Sequence, residues 1–315
     1  MYKHMRLMFY RIAHNKAFFI TYLILIPVVM GIAVYITNNL SYQMQIGIVG
    51  NIETGENKNV DYIPLDEIPK TSQMVLNEYD AVAYLENDSI QILSTKGDEY
   101  NQLVQLIING QIDSLPNENS GGTASHILGF LMMVISLLGV QMYQYYFDER
   151  KGMNKRILGT ACSCWQYLLS HFVVVLSFLF VPAFIIISLV LYLFHIPLSI
   201  DYGLFVFILF LLCFFATSFG LWINVLSKTI EESMMIGNMF AIIGTIVSGG
   251  FVQVTDNVIF HTIVQIFPQQ QIMSLLLALE NQTSLPSIGI VYVIVVSFLF
   301  ILTAVIIEKR KLPSR

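Results

Sequence analysis

Apolar residues run through the chain in long unbroken blocks, not at the 3.6- or 2-residue spacing of elements with one wet face. Six blocks, 17–36, 127–147, 172–194, 204–225, 234–254 and 288–307, reach the ~20 residues that a helix needs to cross a ~30 Å hydrocarbon core. None contains Asp, Glu, Lys or Arg; Asp148, Asp201 and Glu308 stand at their edges. In lipid a segment of this kind satisfies its own backbone amides by folding as a helix. The predicted fold class is an all-α polytopic membrane protein with six transmembrane helices, placed at 17–36, 124–147, 171–195, 201–226, 234–254 and 287–307. The fifth is the most interrupted, by Gly237, Asn238, Gly244, Ser248 and the Gly249–Gly250 pair. The first follows Lys3, Arg6, Arg11 and Lys16 as a signal peptide would. Its apolar run is too long for one, however, and no small-x-small cleavage site follows, so a retained anchor is expected. Pro27 and Pro182 are expected to kink their helices.

Polar residues collect between the first two blocks. Residues 38–122 hold 13 acidic residues against three lysines. Within them 45–50, 81–85 and 90–93 are rich in β-branched or aromatic residues and predict short strands. Segments 72–79 and 99–108 predict amphipathic helices, and Ser120-Gly121-Gly122 reads as a linker. A small α/β ectodomain over 37–123 follows, near the lower size limit for independent stability.

Composition narrows the class by exclusion. The chain has 315 residues, 56% hydrophobic and 12% charged, about half the charge of an ordinary globular protein. A water-soluble enzyme, a disordered chain and a disulfide-rich secreted module are excluded; three cysteines cannot build a disulfide framework. Lysines and arginines fix the expected orientation. Thirteen of the 16 fall on one side: the N-terminal tail, the loop after the second block, Lys228, and the C-terminal tail with Lys309, Arg310, Lys311 and Arg315. The other side holds Lys58, Lys70 and Lys96. Both termini are expected in the cytoplasm.

Candidate chemistry is sparse. Ion-coupled carriers need an ionisable residue or an unwound ion site near the midplane, and the blocks offer no charged side chain. There is no H-E-x-x-H, no G-x-S-x-G and no G-x-x-x-x-G-K-[ST], so the chain cannot cradle ATP by itself. His4, His14, His126, His171, His195 and His261 lie at block ends or in loops and read as interfacial residues. Cys162-x-Cys164 lacks a second ligand pair nearby and reads as interface packing, and Glu231–Glu232 lacks the boxes of an intramembrane protease. No catalytic, cofactor-binding or metal site is predicted on this chain.

The loop after the second block, Phe147-Asp-Glu-Arg-Lys-Gly-Met-Asn-Lys-Arg-Ile-Leu-Gly-Thr160, resembles the signature of type-2 ABC transporter permeases. In that family an acidic–basic run and a glycine precede Arg-(Leu/Ile)-Leu, here Glu149, Arg150, Lys151, Gly152, Arg156, Ile157 and Leu158. A proline common in the following turn is replaced around Ala161–Ser163. The likeness continues along the chain. Residues 1–16, with Leu7, Phe9, Tyr10 and Ile12, resemble the family's amphipathic connecting helix, and Ser227–Ser233 its second cytoplasmic loop. Segment 255–286, with Ile266-Phe-Pro268 and an apolar run to Leu279, resembles its external re-entrant region.

The resemblance implies a permease subunit of the drug, antimicrobial-peptide or lipid exporter branch, in the cytoplasmic membrane of a bacterium. It implies a separate nucleotide-binding ATPase that carries ATP and Mg, and a second permease copy or paralogue. The loop 148–170 would dock on the ATPase, its charges setting geometry while Ile157 and Leu158 pack; the plainer reading is lipid-facing positive charge. Gly237, Ala241, Thr245 and Gly249 recur every fourth residue as a small-residue ridge, suited either to packing within the subunit or to a subunit interface. Gln141, Gln144, Asn224 and Asn238 are polar residues costly in hydrocarbon and candidates for the translocation path. A pathway without charges suits an amphiphilic cargo, with export of a peptide antibiotic preferred. The alternatives are a sodium exporter of the same superfamily and a non-transporting sensor or scaffold with a ligand-binding ectodomain.

Overall fold

The structure, a computed structural model, describes residues 2–39, 44–50, 60–65, 67, 69, 79–86, 89–94, 98–109, 123–150, 163–196, 198, 200–248, 264–281 and 286–311. The chain divides into two compact units, one of Met1–Tyr35 with Gly121–Arg315 and one of Ile36–Ser120.

The first unit is helical. A short helix α1 (Tyr2–Ala13) precedes α2 (Lys16–Asn39). After the second unit come α4 (Thr123–Gln141) and α5 (Gln144–Arg150), then α6 (Cys164–Leu193), α7 (Tyr202–Leu226), α8 (Ile230–Val247), α9 (Pro268–Glu280) and α10 (Ser287–Lys311). Five helical stretches are long and apolar enough to cross a membrane: Thr123–Glu149, Cys164–Leu193, Tyr202–Leu226, Ile230–Val247 and Ser287–Lys311. The 24 residues of α2, apolar over Ile20–Tyr35, occupy the place of the first expected span. At ~1.5 Å per residue that helix also exceeds the ~30 Å hydrocarbon core.

Three boundaries differ from the expected ones, the first two for a capping reason. The third span begins at Cys164 because Ser163 accepts from the Gln166 amide and Gln166 Oε1 accepts from the Ser163 amide, both at 3.2 Å, a complete capping box. The loop expected at 227–233 contracts to Ser227–Thr229, since the Thr229 hydroxyl caps the amide of Glu232 and α8 starts at Ile230. Glu231 and Glu232 thereby sit in the first turn of α8, where the helix dipole favours acids. The last helix runs past 307 to Lys311, whose Nζ donates to the Val225 carbonyl at the end of α7.

The centre of the bundle is α7, buried along most of its length against α4 and α10. Its approach to α4 is backbone to backbone. A Cβ on Gly139 would lie 2.7 Å from the Ala216 carbonyl oxygen, and one on Gly220 would run into the Gly139 carbonyl. Close contact of this kind is how helices gain dispersion energy in lipid, where no hydrophobic effect drives them together. Tyr143 donates to the Thr217 carbonyl (3.1 Å) across the same seam. The helix α9 begins with Pro268 at its first turn and buries Gln269, Ile272, Met273, Leu275 and Leu276 within the bundle.

The second unit carries a four-stranded sheet of order β2-β1-β3-β4, with β1 (Met44–Val49), β2 (Val60–Leu65), β3 (Ala81–Glu86) and β4 (Ser89–Leu93). Strands β2 and β3 flank β1 in parallel and β4 runs antiparallel to β3. Helix α3 (Asp98–Ile108) buries Val104, Ile107 and Ile108 in one cluster with Ile46, Val60, Ala81 and Ala83. Strands β1, β3 and β4 and helix α3 stand where expected. The strand β2 is additional; its Pro64 cannot donate to a ladder, and β2 is accordingly an edge strand. The helix expected at 72–79 lies outside the described residues, Tyr79 apart, and Tyr79 is not helical.

Candidate functional site

Among the described residues, the acid that the fold buries most completely is Glu149, near the end of α5. It reaches this position because α4 does not continue straight. The amides of Tyr143 and Tyr146 bond three residues back, to Val140 (3.3 Å) and Tyr143 (2.9 Å), a tightened turn that offsets α5 from α4. Tyr143, Tyr146 and Phe147 are buried on the inner face, and Glu149 follows them inward.

Four side chains from two other helices, α1 and α6, converge on its carboxylate. Tyr167 donates to Oε2 at 2.9 Å. His171 Nε2 stands 3.1 Å from Oε2 and His4 Nε2 3.4 Å from it. Arg11 donates to Oε1 at 3.2 Å. Burying a carboxylate without partners is prohibitive, and here both oxygens are engaged by donors, one of them a guanidinium. The helix α1 supplies two of the four because His4, Met8 and Ile12, four residues apart, form its inward face.

The histidines are oriented by their other nitrogens. Ser170 Oγ donates its hydrogen to the Tyr167 carbonyl (2.6 Å), so it accepts from His4 Nδ1 at 2.8 Å. With Nδ1 turned to Ser170, the His4 ring presents Nε2 to the carboxylate. His171 Nδ1 has no hydrogen-bond partner among the described residues, which favours the neutral tautomer with its proton on Nε2, toward Glu149. Arg11 also stacks over Tyr145 at 5.5 Å, and Asn15 donates to the Tyr145 hydroxyl at 2.8 Å. Helix α1 is thus pinned to α5 by Arg11 and Asn15 and to α6 by His4. A second buried carboxylate adjoins: Tyr146 donates to Glu308 of α10 at 2.6 Å, and its ring meets His171 edge-on at 5.8 Å.

His4, Glu149 and His171 present three donor atoms within 4.8 Å of one another, a spacing that a metal ion could use. The surrounding charge argues for a hydrogen-bonded latch instead. Arg11 already compensates the carboxylate, Tyr167 shares its Oε2, and a dication would enter beside a guanidinium.

The expected site residues are placed as follows. Glu149, expected on a docking rim, is buried inside the subunit, because the acid is drawn in by His4, Arg11, Tyr167 and His171. Arg150 ends α5; Lys151, Gly152, Arg156, Ile157 and Leu158 lie outside the described residues, as does Gly249. His171, expected at an interface, is fully buried. On the ridge of α8, Gly237 faces Val140 so closely that a Cβ would sit 2.6 Å from its side chain, and Ala241 and Thr245 are buried. Within this chain the ridge packs against its own neighbours. Asn224 donates to the carbonyls of Val140 (3.1 Å) and Gly220 (2.7 Å), a tie between α7 and α4. Gln141 and Gln144 line a cavity of about 220 Å³ together with Asn15, Thr21, Leu138 and Met234. Asn238, half-buried, has an Oδ1 that finds no partner among the described residues.

Two features are absent from the expectations, one without a sequence signal and one with it. The convergence of His4 and His171 on Glu149 spans 145 and 22 residues and has no local signal. The α4–α7 seam did have one, the Ala216–Gly220 pair at four-residue spacing beside Thr217 and Ser218.

No curated protein shows significant similarity to the chain. A family model described as ABC-2 type transporter matches residues 94–281, 188 of the 315 residues, and so covers the second to fifth spans together with α9. The chain belongs to the ABC-2 type transporter family, as a multi-pass membrane subunit.

Proposed function

We propose that the chain is the permease of an ATP-driven exporter, working with separate ATPase subunits and a second permease copy or paralogue, and carrying an amphiphilic cargo. The observation that supports this best is the place of the buried carboxylate. Glu149 stands near the start of the segment 148–170 that resembles the ATPase-coupling loop, and it is bonded to α1 and α6. A push on that loop would travel through α5 into α1 and α6 together and not be absorbed by a flexible joint. Coupling between distant sites needs such packed or hydrogen-bonded links between rigid elements. Nucleotide hydrolysis, with its ATP and Mg, would belong to the partner, a reading supported by the family match and by a sequence without a phosphate-cradling motif.

An amphiphilic cargo is supported by what the bundle offers at membrane depth. The apolar stretches hold no charged side chain, and the buried acids Glu149 and Glu308 stand at helix ends, each bonded to tyrosine. The same distribution disfavours a sodium exporter, whose ion would need a carboxylate or an unwound backbone inside. The test is reconstitution of the chain with its ATPase in vesicles and a measurement of hydrolysis across a panel of amphiphilic peptides and lipids. Stimulation by one class identifies the cargo; an ATPase that neither associates with the chain nor responds to it refutes the reading.

A further inference from the structure

Between α2 and α6, roofed at one end by α1, lies a groove of about 570 Å³. Its volume falls within the ~300–1,000 Å³ of small-molecule sites. Ile20 and Leu23 form one wall, Val181, Pro182 and Ile185 the other, and Phe9 closes an end by packing on Phe178 with ring centroids 4.7 Å apart. The groove has two lining residues with polar side chains, and both are turned to other uses. Tyr22 donates to the Leu179 carbonyl at 3.4 Å and Ser177 to the Val173 carbonyl at 2.8 Å. An occupant therefore meets hydrocarbon alone, with no group to orient a polar ligand. A soluble cofactor or a peptide backbone would leave its own donors unpaired there.

The groove opens on exposed apolar faces of α2, apolar over Ile20–Tyr35, and of α6, which is long and apolar enough to cross a membrane; in a bilayer such faces meet acyl chains. Lipid tails are as apolar as leucine, and apolar contact alone does not distinguish one lipid from another. What distinguishes this groove is a charge in register with it. Lys16, exposed at the start of α2, precedes Ile20 and Leu23 by four and seven residues and lies on the same helix face. A chain lying along Ile20 and Leu23 brings its headgroup to the Lys16 ammonium. The adjacent helix α1 adds Arg6, also exposed.

We propose that this groove holds one acyl chain of an anionic membrane phospholipid, with the phosphate at Lys16. The lipid would sit against α1, the helix that the buried Glu149 cluster pins in place, so its presence would stiffen that attachment. The inference needs the membrane setting alone and stands apart from the exporter reading.

The full-length chain in phosphatidylcholine vesicles can be probed with a phosphatidylglycerol that carries a photoreactive diazirine in one acyl chain, and with the phosphatidylcholine bearing the same chain. Adducts should concentrate on the peptides containing Ile20–Leu23 and Val181–Ile186, with the anionic probe favoured about fivefold, the preference that one lysine at the surface confers. Lys16→Glu should remove that preference and keep the adducts. Ile185→Trp, at an exposed position that leaves the core untouched, should fill the groove and reduce adducts there several-fold while those on the exposed Val291 and Val295 face of α10 persist. Adducts spread evenly over the exposed helix faces, no response to Ile185→Trp, or equal labelling by both headgroups would overturn the proposal. Displacement of both probes alike by an amphiphilic cationic peptide would also overturn it, since the groove would then receive cargo.

Discussion

Glu149 Oε2 and His171 Nε2 lie 3.1 Å apart, both residues without solvent exposure, one closing α5 and the other in the second turn of α6. The contact carries more than a local bond, because His4 and Arg11 reach the same carboxylate from α1. Three helices distant in sequence meet on one charge.

Removing that charge should loosen all three. Glu149→Ala leaves Arg11, His171 and Tyr167 without the acceptor they share, a loss of about 1–3 kcal/mol. Glu149→Gln keeps hydrogen-bonding capacity and should cost about half as much. Thermal unfolding of the detergent-purified protein reads the difference; equal midpoints for wild type and Glu149→Ala would remove the cluster from the account.

The seam between α4 and α7 makes a sharper steric claim. Gly220→Val places carbon where the Gly139 carbonyl stands, and neither backbone can yield without separating the helices. The expected outcome is loss of monodisperse protein. Gly31→Ala is the control: an added methyl there meets no atom within 4 Å, and elution should be unchanged.

Tyr146→Phe deletes the 2.6 Å bond to Glu308 and nothing of the ring's packing. A cost of about 1–3 kcal/mol is expected, since the acceptor is a buried acid. Glu308→Gln combined with Tyr146→Phe should be less damaging than the two single effects summed, and the coupling is read from a double-mutant cycle. Strict additivity would mean that the two side chains do not interact.

In the second unit, Ile46→Ala empties space between the sheet and α3, at a cost of about 2–5 kcal/mol. That is a large share of what a unit of this size holds in reserve. Limited proteolysis should cut within 36–120 several-fold faster, with the helical unit unaffected; unchanged cleavage would contradict the packing described.

The spans were legible because their physics is crude: a block of apolar residues of sufficient length has one use in lipid. Helix ends were less so, although the Ser163–Gln166 and Thr229–Glu232 pairs carry the S/T-x-x-E/Q spacing that a cap requires. Strand β2 was hidden by Asp61 and Pro64, residues that speak against a strand until its edge position is known. The burial of Glu149 was illegible. Inside Asp148-Glu149-Arg150-Lys151 an acid looks solvated, and only the arrival of His4 and His171 reverses that sign. Gln141 and Gln144 line a cavity, while Asn224 bonds carbonyls across a helix seam whose small-residue spacing, Ala216 and Gly220, is legible only once its partner helix is known.

The central claim is that motion enters through the loop after α5 and is carried by the Glu149 cluster. The most direct measurement is the ratio of cargo moved to ATP hydrolysed in vesicles containing the chain and its ATPase, for wild type and Glu149→Gln. The account predicts transport that needs ATP and survives collapse of ion gradients, with Glu149→Gln lowering cargo moved per ATP while the ATPase still associates. Transport by the chain alone on an ion gradient, or an unchanged ratio in Glu149→Gln, would contradict it.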